Sequence, residues 1–376
     1  MIKTRKKIIL ITMILSLFMT ANFTFAFWAN TVYGDQDIAS ASLSVGKWLP
    51  PGFTAVTQTG DGGSITLNEI GTSQYPVNGN YMMMSDINLN NSSFTPILNF
   101  SGNFYGNGYQ ISNFSLSNNS ANIGLFETIT STGLVHGIKI ISASISASGS
   151  NDKTAGLIAG VNQGTIVYSS AQGTVNLSLS RNGGSGAVNL TAIAGGLVGN
   201  NQGYIIDSYA NVNVTVQTSL TGGFFAQKTA TSYGGGLAGI SNFDLGINRT
   251  YATGVINVSA SSTGGFIVSN TSVSFAGGLV AQSGGITHVN NSFAVGNITN
   301  NPTTNSGSVV GSGGFTNSYR LNTQTVNGAS GAGTSATVTQ LRSSTWLSTN
   351  LGYNPSRYIF QSIQYPSIVI EKFELY

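Results

Sequence analysis

The feature that most constrains the fold of this chain is an internal repeat of about 40 residues. The stretch AGGLVGNNQGYIIDSYA, residues 194–210, returns in degraded form upstream from Thr154 and downstream from Gly234, Ala276 and, shortened, Ser308. A fixed period of this length is typical of solenoids, propellers and helical arrays, in which one unit cannot bury its apolar face alone.

The content of the repeat favours stacked strands. Helical arrays need long runs at a spacing of 3.6, whereas this chain alternates over short runs such as VNVTV, residues 212–216. Glycine pairs lie between the runs and allow tight turns. A propeller is disfavoured because no Trp-Asp or kelch signature is present. We therefore predict an all-β solenoid of about five degenerate repeats, capped at both ends, in which each repeat makes two coils of roughly 20 residues.

Four positions recur in the copies: a glycine pair, a leucine after it and, later, an aromatic residue inside a small-aromatic-Ala element. Glycine allows tight turning of the backbone, and leucine fills the interior. The predicted motif residues are Gly156, Leu157, Gly195, Gly196, Leu197, Tyr209, Gly235, Gly236, Leu237, Tyr251, Gly277, Gly278, Leu279, Phe293 and Tyr319.

Composition supports a packed but nearly uncharged protein. Charged residues make up 7% of the chain, against roughly 25% in ordinary soluble domains, while 40% of residues are hydrophobic. Cysteine is absent, so the core and the strand ladders must hold the chain together without disulfides.

The N-terminus predicts export. Residues 1–26 have a basic start and an apolar run of signal-peptide length, with cleavage expected near Ala26 or Ala29; a retained anchor is the alternative. Cleavage removes four basic residues and leaves the charges nearly balanced, which argues against nucleic acid as a partner. We predict a linker or cap over 27–80, the solenoid over 81–322 and a capping segment over 323–376.

The motif stretch GGLVGNNQGYIIDSYA resembles the GLUG motif of bacterial and archaeal surface proteins, and this resemblance implies a right-handed, single-stranded parallel β-helix. The flanks GNFYGNGYQISNFSLS and GTSATVTQLRSSTWLSTNLGYNPSRYIF resemble the opening and closing segments of such proteins, so the resemblance covers about residues 81–370. It departs from the pattern at Val309 and Val310 and at Ile123, where the glycine pair is lost. The leader FAFWANTVYGDQDIASASLSVGKW is similar to exported Gram-positive proteins that include TasA-like biofilm-matrix components.

No catalytic constellation emerges from the sequence. Glycoside hydrolysis needs two carboxylates roughly 5–10 Å apart, but Asp207 aligns with Arg249 in the next copy rather than with an acid. At two coils' separation we expect that pair to be a weak surface contact. Asp152 and Asp244 lie at unmatched repeat positions, so we predict that the protein is not an enzyme.

Cofactors are not expected either. His136 and His288 have no recognisable partners, and two histidines without cysteine cannot form a His/Cys metal cluster. Calcium remains the open alternative, because the loops GDGG at Asp61 and GDQD at Asp35 and Asp37 are typical of calcium sites but supply incomplete ligand sets.

These observations lead to three functional hypotheses. The first is a secreted or cell-surface adhesin-like protein that contacts glycans, extracellular matrix or other surface components, with no membrane span in the mature chain. The second is a carbohydrate-active β-helix enzyme, a lyase or glycosidase. The third is a biofilm-matrix subunit that self-associates. The aromatic residues of the C-terminal segment are expected to cap the solenoid, with a sugar-binding patch as the alternative.

Overall fold

Four long parallel β-sheets form the sides of the molecule, and the chain passes through them in turn. The computed structural model describes residues 49–90, 94–117, 120–184, 186–222, 227–264, 269–285 and 287–369. All of them belong to one compact unit, Trp48–Tyr376. The signal segment, both cleavage positions, the TasA-like leader and the loop at Asp35 and Asp37 lie outside the described residues.

The first two sheets are built as follows. Sheet I contains β1 (Thr54–Val56), β2 (Asn80–Met83), β4 (Asn103–Tyr105), β9 (Leu134–His136), β13 (Thr165–Val167), β17 (Tyr204–Ile206), β21 (Ile247–Asn248) and β26 (Val289–Asn290). Sheet II contains β3 (Ile87–Asn88), β5 (Gln110–Ser112), β6 (Ser115–Leu116), β10 (Lys139–Gly149), β14 (Ser170–Asn182), β18 (Tyr209–Thr221), β22 (Tyr251–Ala252), β23 (Ile256–Thr263), β27 (Phe293–Ala294), β28 (Ile298–Asn301), β31 (Tyr319–Leu321), β32 (Thr325–Val326), β33 (Ala329–Ser330) and β34 (Ser335–Ala336).

The other two sheets are shorter. Sheet III contains β7 (Asn122–Ile123), β11 (Lys153–Ala155), β15 (Val188–Gly195), β19 (Lys228–Gly235), β24 (Thr271–Gly277) and β29 (Asn305–Gly307). Sheet IV contains β8 (Phe126–Ile129), β12 (Ala159–Asn162), β16 (Val198–Asn201), β20 (Ala238–Ser241), β25 (Val280–Ser283) and β30 (Val310–Ser312).

The C-terminal segment has a different character. It contains α1 (Val338–Arg342), α2 (Ser344–Leu351), a 3-10 turn (Pro355–Arg357) and an antiparallel hairpin of β35 (Tyr358–Gln361) and β36 (Gln364–Ile368). A second 3-10 turn, Leu67–Glu69, lies near the N-terminal end. Thr337 begins α1 as a capping box with Gln340, whose backbone N–H donates to the threonine hydroxyl at 3.2 Å.

One repeat makes one coil. Ile166 is in register with Ile205, Ile205 with Ile247 and Ile247 with Val289, so each step of the ladder advances a full repeat. The prediction of two coils per repeat is therefore wrong. Four strands and their corners use up the whole period, since the chain visits all four sheets before it returns.

The solenoid also begins earlier than the sequence indicates. Strand β1 pairs in parallel with β2, with Thr54 opposite Tyr81, so the ladder starts at Thr54 and the predicted boundary at residue 81 is wrong. The glycine-rich stretch at 60–63 and Pro76 are not a linker. They form the turns that return the chain from β1 to β2 within the first coil.

Leucine, isoleucine and valine fill a continuous interior that runs from Val56 to Val310. At the corner between sheets I and II, small hydroxyl residues stack in a buried column. The Ser208 hydroxyl donates to the Ile206 carbonyl at 2.8 Å and accepts the Ser169 N–H at 3.1 Å. Such bonds supply partners for backbone groups that a corner leaves outside the strand ladders.

A second buried column, of amides, lies at the corner between sheets IV and I, where Asn162 Nδ2 donates to Asn201 Oδ1 at 2.8 Å. With these ladders in place, the structure confirms the predicted all-β parallel solenoid. Over the residues described, no helix has the length and apolar character needed to cross a bilayer.

Candidate functional site

The predicted motif residues divide into three groups in the structure: leucines, glycines and aromatic residues. The leucines, Leu157, Leu197, Leu237 and Leu279, are fully buried in the interior. The glycines lie where neighbouring backbones approach closely: a Cβ on Gly195 would come within 2.0 Å of the Val198 carbonyl oxygen. A Cβ on Gly196 would meet the Gly236 oxygen at 2.2 Å. Equivalent backbone approaches occur at Gly156, Gly235, Gly277 and Gly278.

The motif aromatics Tyr209, Tyr251 and Phe293 lie on the outer face of sheet II, because the alanine after each of these three points inward. The rings of Tyr209 and Tyr251 are stacked with centroids 4.8 Å apart and planes 2° apart, and Tyr251 and Phe293 are stacked at 4.8 Å and 4°. We call these three rings the aromatic stack. Tyr319 follows Phe293 in register and contacts Trp346 edge-on at 5.1 Å.

The C-terminal segment covers part of this stack. Tyr353, Tyr358 and the buried leucines of α1 and α2 form one apolar cluster with Tyr251 and Phe293, and the Tyr251 hydroxyl donates to the Pro366 carbonyl. Burial raises the pKa of the Tyr251 phenol well above its usual value.

The first part of this segment continues the last coil: β32 pairs with β28 and β34 pairs with β31. Gln324 Nε2 donates to the carbonyls of Gly296 and Ser308 at 2.8 and 3.1 Å. Residues 338–369 pack against sheet II on the side of the solenoid, and α2 also reaches the last coil through Trp346 and Tyr319. A capping role for residues 323–376 stays a prediction.

Asp207 and Arg249 form a close ion pair, not the weak surface contact predicted from the sequence. Arg249 Nε donates to Asp207 Oδ1 at 2.7 Å and Nη2 donates to Oδ2 at 2.6 Å, which is a bidentate arrangement. The two residues lie on adjacent coils because one repeat makes one coil, and that is why the prediction of distant side chains is wrong.

The Tyr358 hydroxyl also donates to Asp207 Oδ1 at 3.1 Å, which fastens the hairpin to the solenoid. The hydrogen bond to Asp207 raises the pKa of the Arg249 guanidinium, although burial alone lowers it. Both carboxylate oxygens of Asp207 are therefore occupied by structural partners.

A cleft of about 440 Å³ opens between sheet II and the C-terminal hairpin. Its floor is sheet II, including Tyr209, Tyr251, Asn211 and Thr253. Its far wall is formed by Arg342 and by the hairpin residues Ile363, Gln364, Tyr365 and Ser367. Ser170, Gln172 and Lys139 line the side towards the N-terminal coils. Burial raises the pKa of Tyr209, and a hydrogen bond with Ser170 acts in the opposite direction.

The floor of the cleft continues into rows of outward-pointing polar side chains along the long strands of sheet II. The side chains that point outward on β18 are Tyr209, Asn211, Asn213, Thr215 and Gln217, while the residues between them are buried. The same position on successive strands forms two columns, which we call the polar face: Ser146, Asn176, Thr215, Asn257 and Thr299, and beside it Ser148, Ser178, Gln217, Ser259 and Asn301.

The other candidate residues are dispersed. His136 is stacked on Tyr105 with centroids 5.1 Å apart, and burial together with nearby Arg357 lowers its pKa. His288 contacts the Ser241 carbonyl at 3.2 Å. Asp152 accepts the Thr191 N–H at 2.8 Å, which shows a structural contact for that carboxylate.

Asp244 lies in the turn before β21. Within the described ranges, no three His, Asp or Glu side chains gather closely enough to hold a metal ion.

Sequence reasoning missed Lys139 and Arg342, the two cations of the cleft. The sequence does carry a signal for Lys139. The pair Lys139-Ile140 is equivalent to Ser170-Ala171 and to Tyr209-Ala210 in the following coils, which places Lys139 in the same outward column as Tyr209. Arg342 had none, since only the docking of the C-terminal segment brings it to sheet II.

Comparison with known proteins supports the fold more than any activity. No family model matches the chain. A stretch of 95 residues is 38% identical to Halomucin of Haloquadratum walsbyi, and this match covers 25% of the chain but only 1% of that protein's length.

In three dimensions the chain resembles a crystal structure from Bacteroides ovatus, provisionally described as an immunoglobulin A1 protease, with a TM-score of 0.50 and 19% identity. The likeness covers 77% of this chain and 85% of that one. At this level of identity it shows a shared β-helix architecture.

Proposed function

We propose that this chain is a secreted or cell-surface, adhesin-like protein that binds a polysaccharide along the outer face of sheet II. The observation that carries the proposal is the cleft, where exposed amides and hydroxyls lie beside aromatic rings at the end of the polar face. Binding sites typically combine an apolar or aromatic surface with a few well-placed polar groups.

The geometry suits an extended polymer. Equivalent side chains repeat at the strand spacing of about 4.8 Å, which is close to the length of one sugar unit, so successive units can meet successive coils. Tyr209 offers an aromatic surface at the cleft. Asn211 and Gln172 offer amide donors and acceptors, which suit sugar hydroxyls.

Binding without catalysis is the simpler proposal. Of the described carboxylates, none lines the cleft. Asp207, the buried one nearby, already accepts hydrogen bonds from Arg249 and Tyr358. A hydrolytic role would require acids placed against the bound sugar.

The test uses residues 27–376 on a panel of immobilised polysaccharides, with retention and newly released sugar ends recorded together. Asn211→Ala should reduce retention, whereas Asn189→Ala, an exposed asparagine on sheet III, should not. Release of sugar ends would favour the enzyme hypothesis, and absence of retention on every polymer would overturn the proposal.

A further inference from the structure

We propose that the cleft selects acidic sugar units, so that the polysaccharide bound on sheet II carries carboxylate or sulfate groups. This inference rests on the proposed glycan-binding function and names its substrate class. The structural basis is that two cations, Lys139 and Arg342, line a cleft that none of the described carboxylates lines.

Arg342 is held in place at the wall of the cleft. Its Nη1 donates to the Ser362 carbonyl at 3.2 Å, and its guanidinium carbon lies 4.9 Å from the centre of the Tyr365 ring. Burial raises the pKa of Tyr365, and a hydrogen bond with the Arg342 side chain acts in the opposite direction. Arg342 lines the cleft and is only half-buried, and a planar guanidinium matches the oxygens of carboxylate and sulfate groups.

Lys139 lines the same cleft on sheet II, on the side towards the N-terminal coils. It is exposed, and it stands in register with Ser170, then Tyr209, then Tyr251 along the solenoid axis. A sugar chain that runs along this axis past Tyr209 and Ser170 therefore reaches an ammonium group at the end of the column.

Other cations of the solenoid are already occupied. Lys153 donates to the Ser120 carbonyl at 3.2 Å, and the fully buried Lys228 donates to the Gly183 and Gly184 carbonyls at 3.3 and 3.1 Å. Arg249 is paired with Asp207. The cleft is thus a place where positive charge faces an open space lined by polar and aromatic groups.

The experiment compares binding of residues 27–376 to polygalacturonate, dextran sulfate and neutral dextran at low and high salt. We expect an acidic polymer to bind more tightly than dextran, with the difference reduced by salt. Lys139→Gln and Arg342→Gln should each weaken binding of the acidic polymer about tenfold.

Two further variants separate charge from folding. Arg342→Lys keeps the charge but not the planar fork, so it should retain part of the affinity. Arg181→Gln removes an exposed cation near the far end of β14 and should bind like the wild type.

Each outcome is decisive. Binding of polygalacturonate alone assigns a carboxylate ligand, and binding of dextran sulfate alone assigns a sulfate; either supports the inference. Equal binding of dextran, or unchanged binding of acidic polymers by Lys139→Gln and Arg342→Gln, overturns it and leaves the glycan-binding proposal standing. Failure of the wild type to bind any polymer overturns both.

Discussion

The ion pair of Asp207 and Arg249 should be the main fastening between the solenoid and the C-terminal hairpin, and Arg249→Met tests this directly. Methionine keeps an unbranched stem but leaves Asp207 with only the Tyr358 hydroxyl as a side-chain partner. The Asp207 side chain is 6% exposed, so its charge cannot reach water. Breaking a buried pair from one side costs about 3–5 kcal/mol, and we expect a loss of stability in that range.

The opposite substitution should cost less. Asp207→Asn preserves the shape of the side chain, and asparagine tolerates the left-handed backbone found here, where φ is 47°. The orphaned Arg249 side chain is 28% exposed and can turn partly into water, so the expected loss is about 2 kcal/mol. The double variant should recover part of the loss, since no unpaired charge remains buried.

Trp346 provides a local probe of this fastening, because it lies in α2 and contacts Tyr319. Replacing Trp28 and Trp48, the other two tryptophans, by phenylalanine leaves Trp346 as the single tryptophan. Urea unfolding followed by Trp346 fluorescence should show the transition of the C-terminal segment at lower urea in Arg249→Met than in Asp207→Asn. Changes below about 0.5 kcal/mol in both variants, or the reverse order, would refute the reasoning.

Three further predictions concern the solenoid itself. Gly195→Ala forces a backbone shift and should lower the free energy of unfolding, measured in urea, by about 3 kcal/mol or more. The control Gly186→Ala meets nothing within 4 Å and should be nearly neutral. Equal effects would contradict the close approach of the Val198 carbonyl oxygen to Gly195. Ser208→Ala should lower the free energy of unfolding by about 1–3 kcal/mol, because it leaves the buried Ser169 N–H without its acceptor. The exposed control Ser146→Ala should lower it by less than about 0.5 kcal/mol. A neutral Ser208→Ala would exclude a stabilising hydroxyl ladder. The lowered pKa of His136 means that the folded state resists protonation of this side chain. The free energy of unfolding should therefore fall as the pH drops below about 6.5. Urea unfolding midpoints measured across this pH range should decline less in His136→Phe than in the wild type.

The repeat period and the alternation along strands such as β18 could be read directly from the sequence, because both are local patterns. Leu197 and its equivalents point inward for the same reason: their position within each copy is fixed relative to the glycine pair. The small-aromatic-Ala element likewise marks a corner, where serine enters a hydroxyl column and alanine enters the interior. These features follow from spacing and residue type alone.

The number of coils per repeat was decided only by tertiary structure. A 40-residue period is compatible with one large coil or two small ones, and only the register of Ile205 with Ile247 distinguishes them. That register decides whether Asp207 and Arg249 are neighbours, so an error in coil size became an error about the ion pair.

The cleft was equally inaccessible to sequence reasoning, since it depends on two segments that are distant in the chain. Lys139 lies in an early coil, whereas Arg342 arrives with the C-terminal helices that dock on the side of sheet II. Periodicity describes how a residue relates to its own repeat and says nothing about which segment packs across it. The sequence by itself determined the stacked strands and their inward faces. Only the long-range packing of the C-terminal segment on the aromatic stack decided where a site with two cations could form.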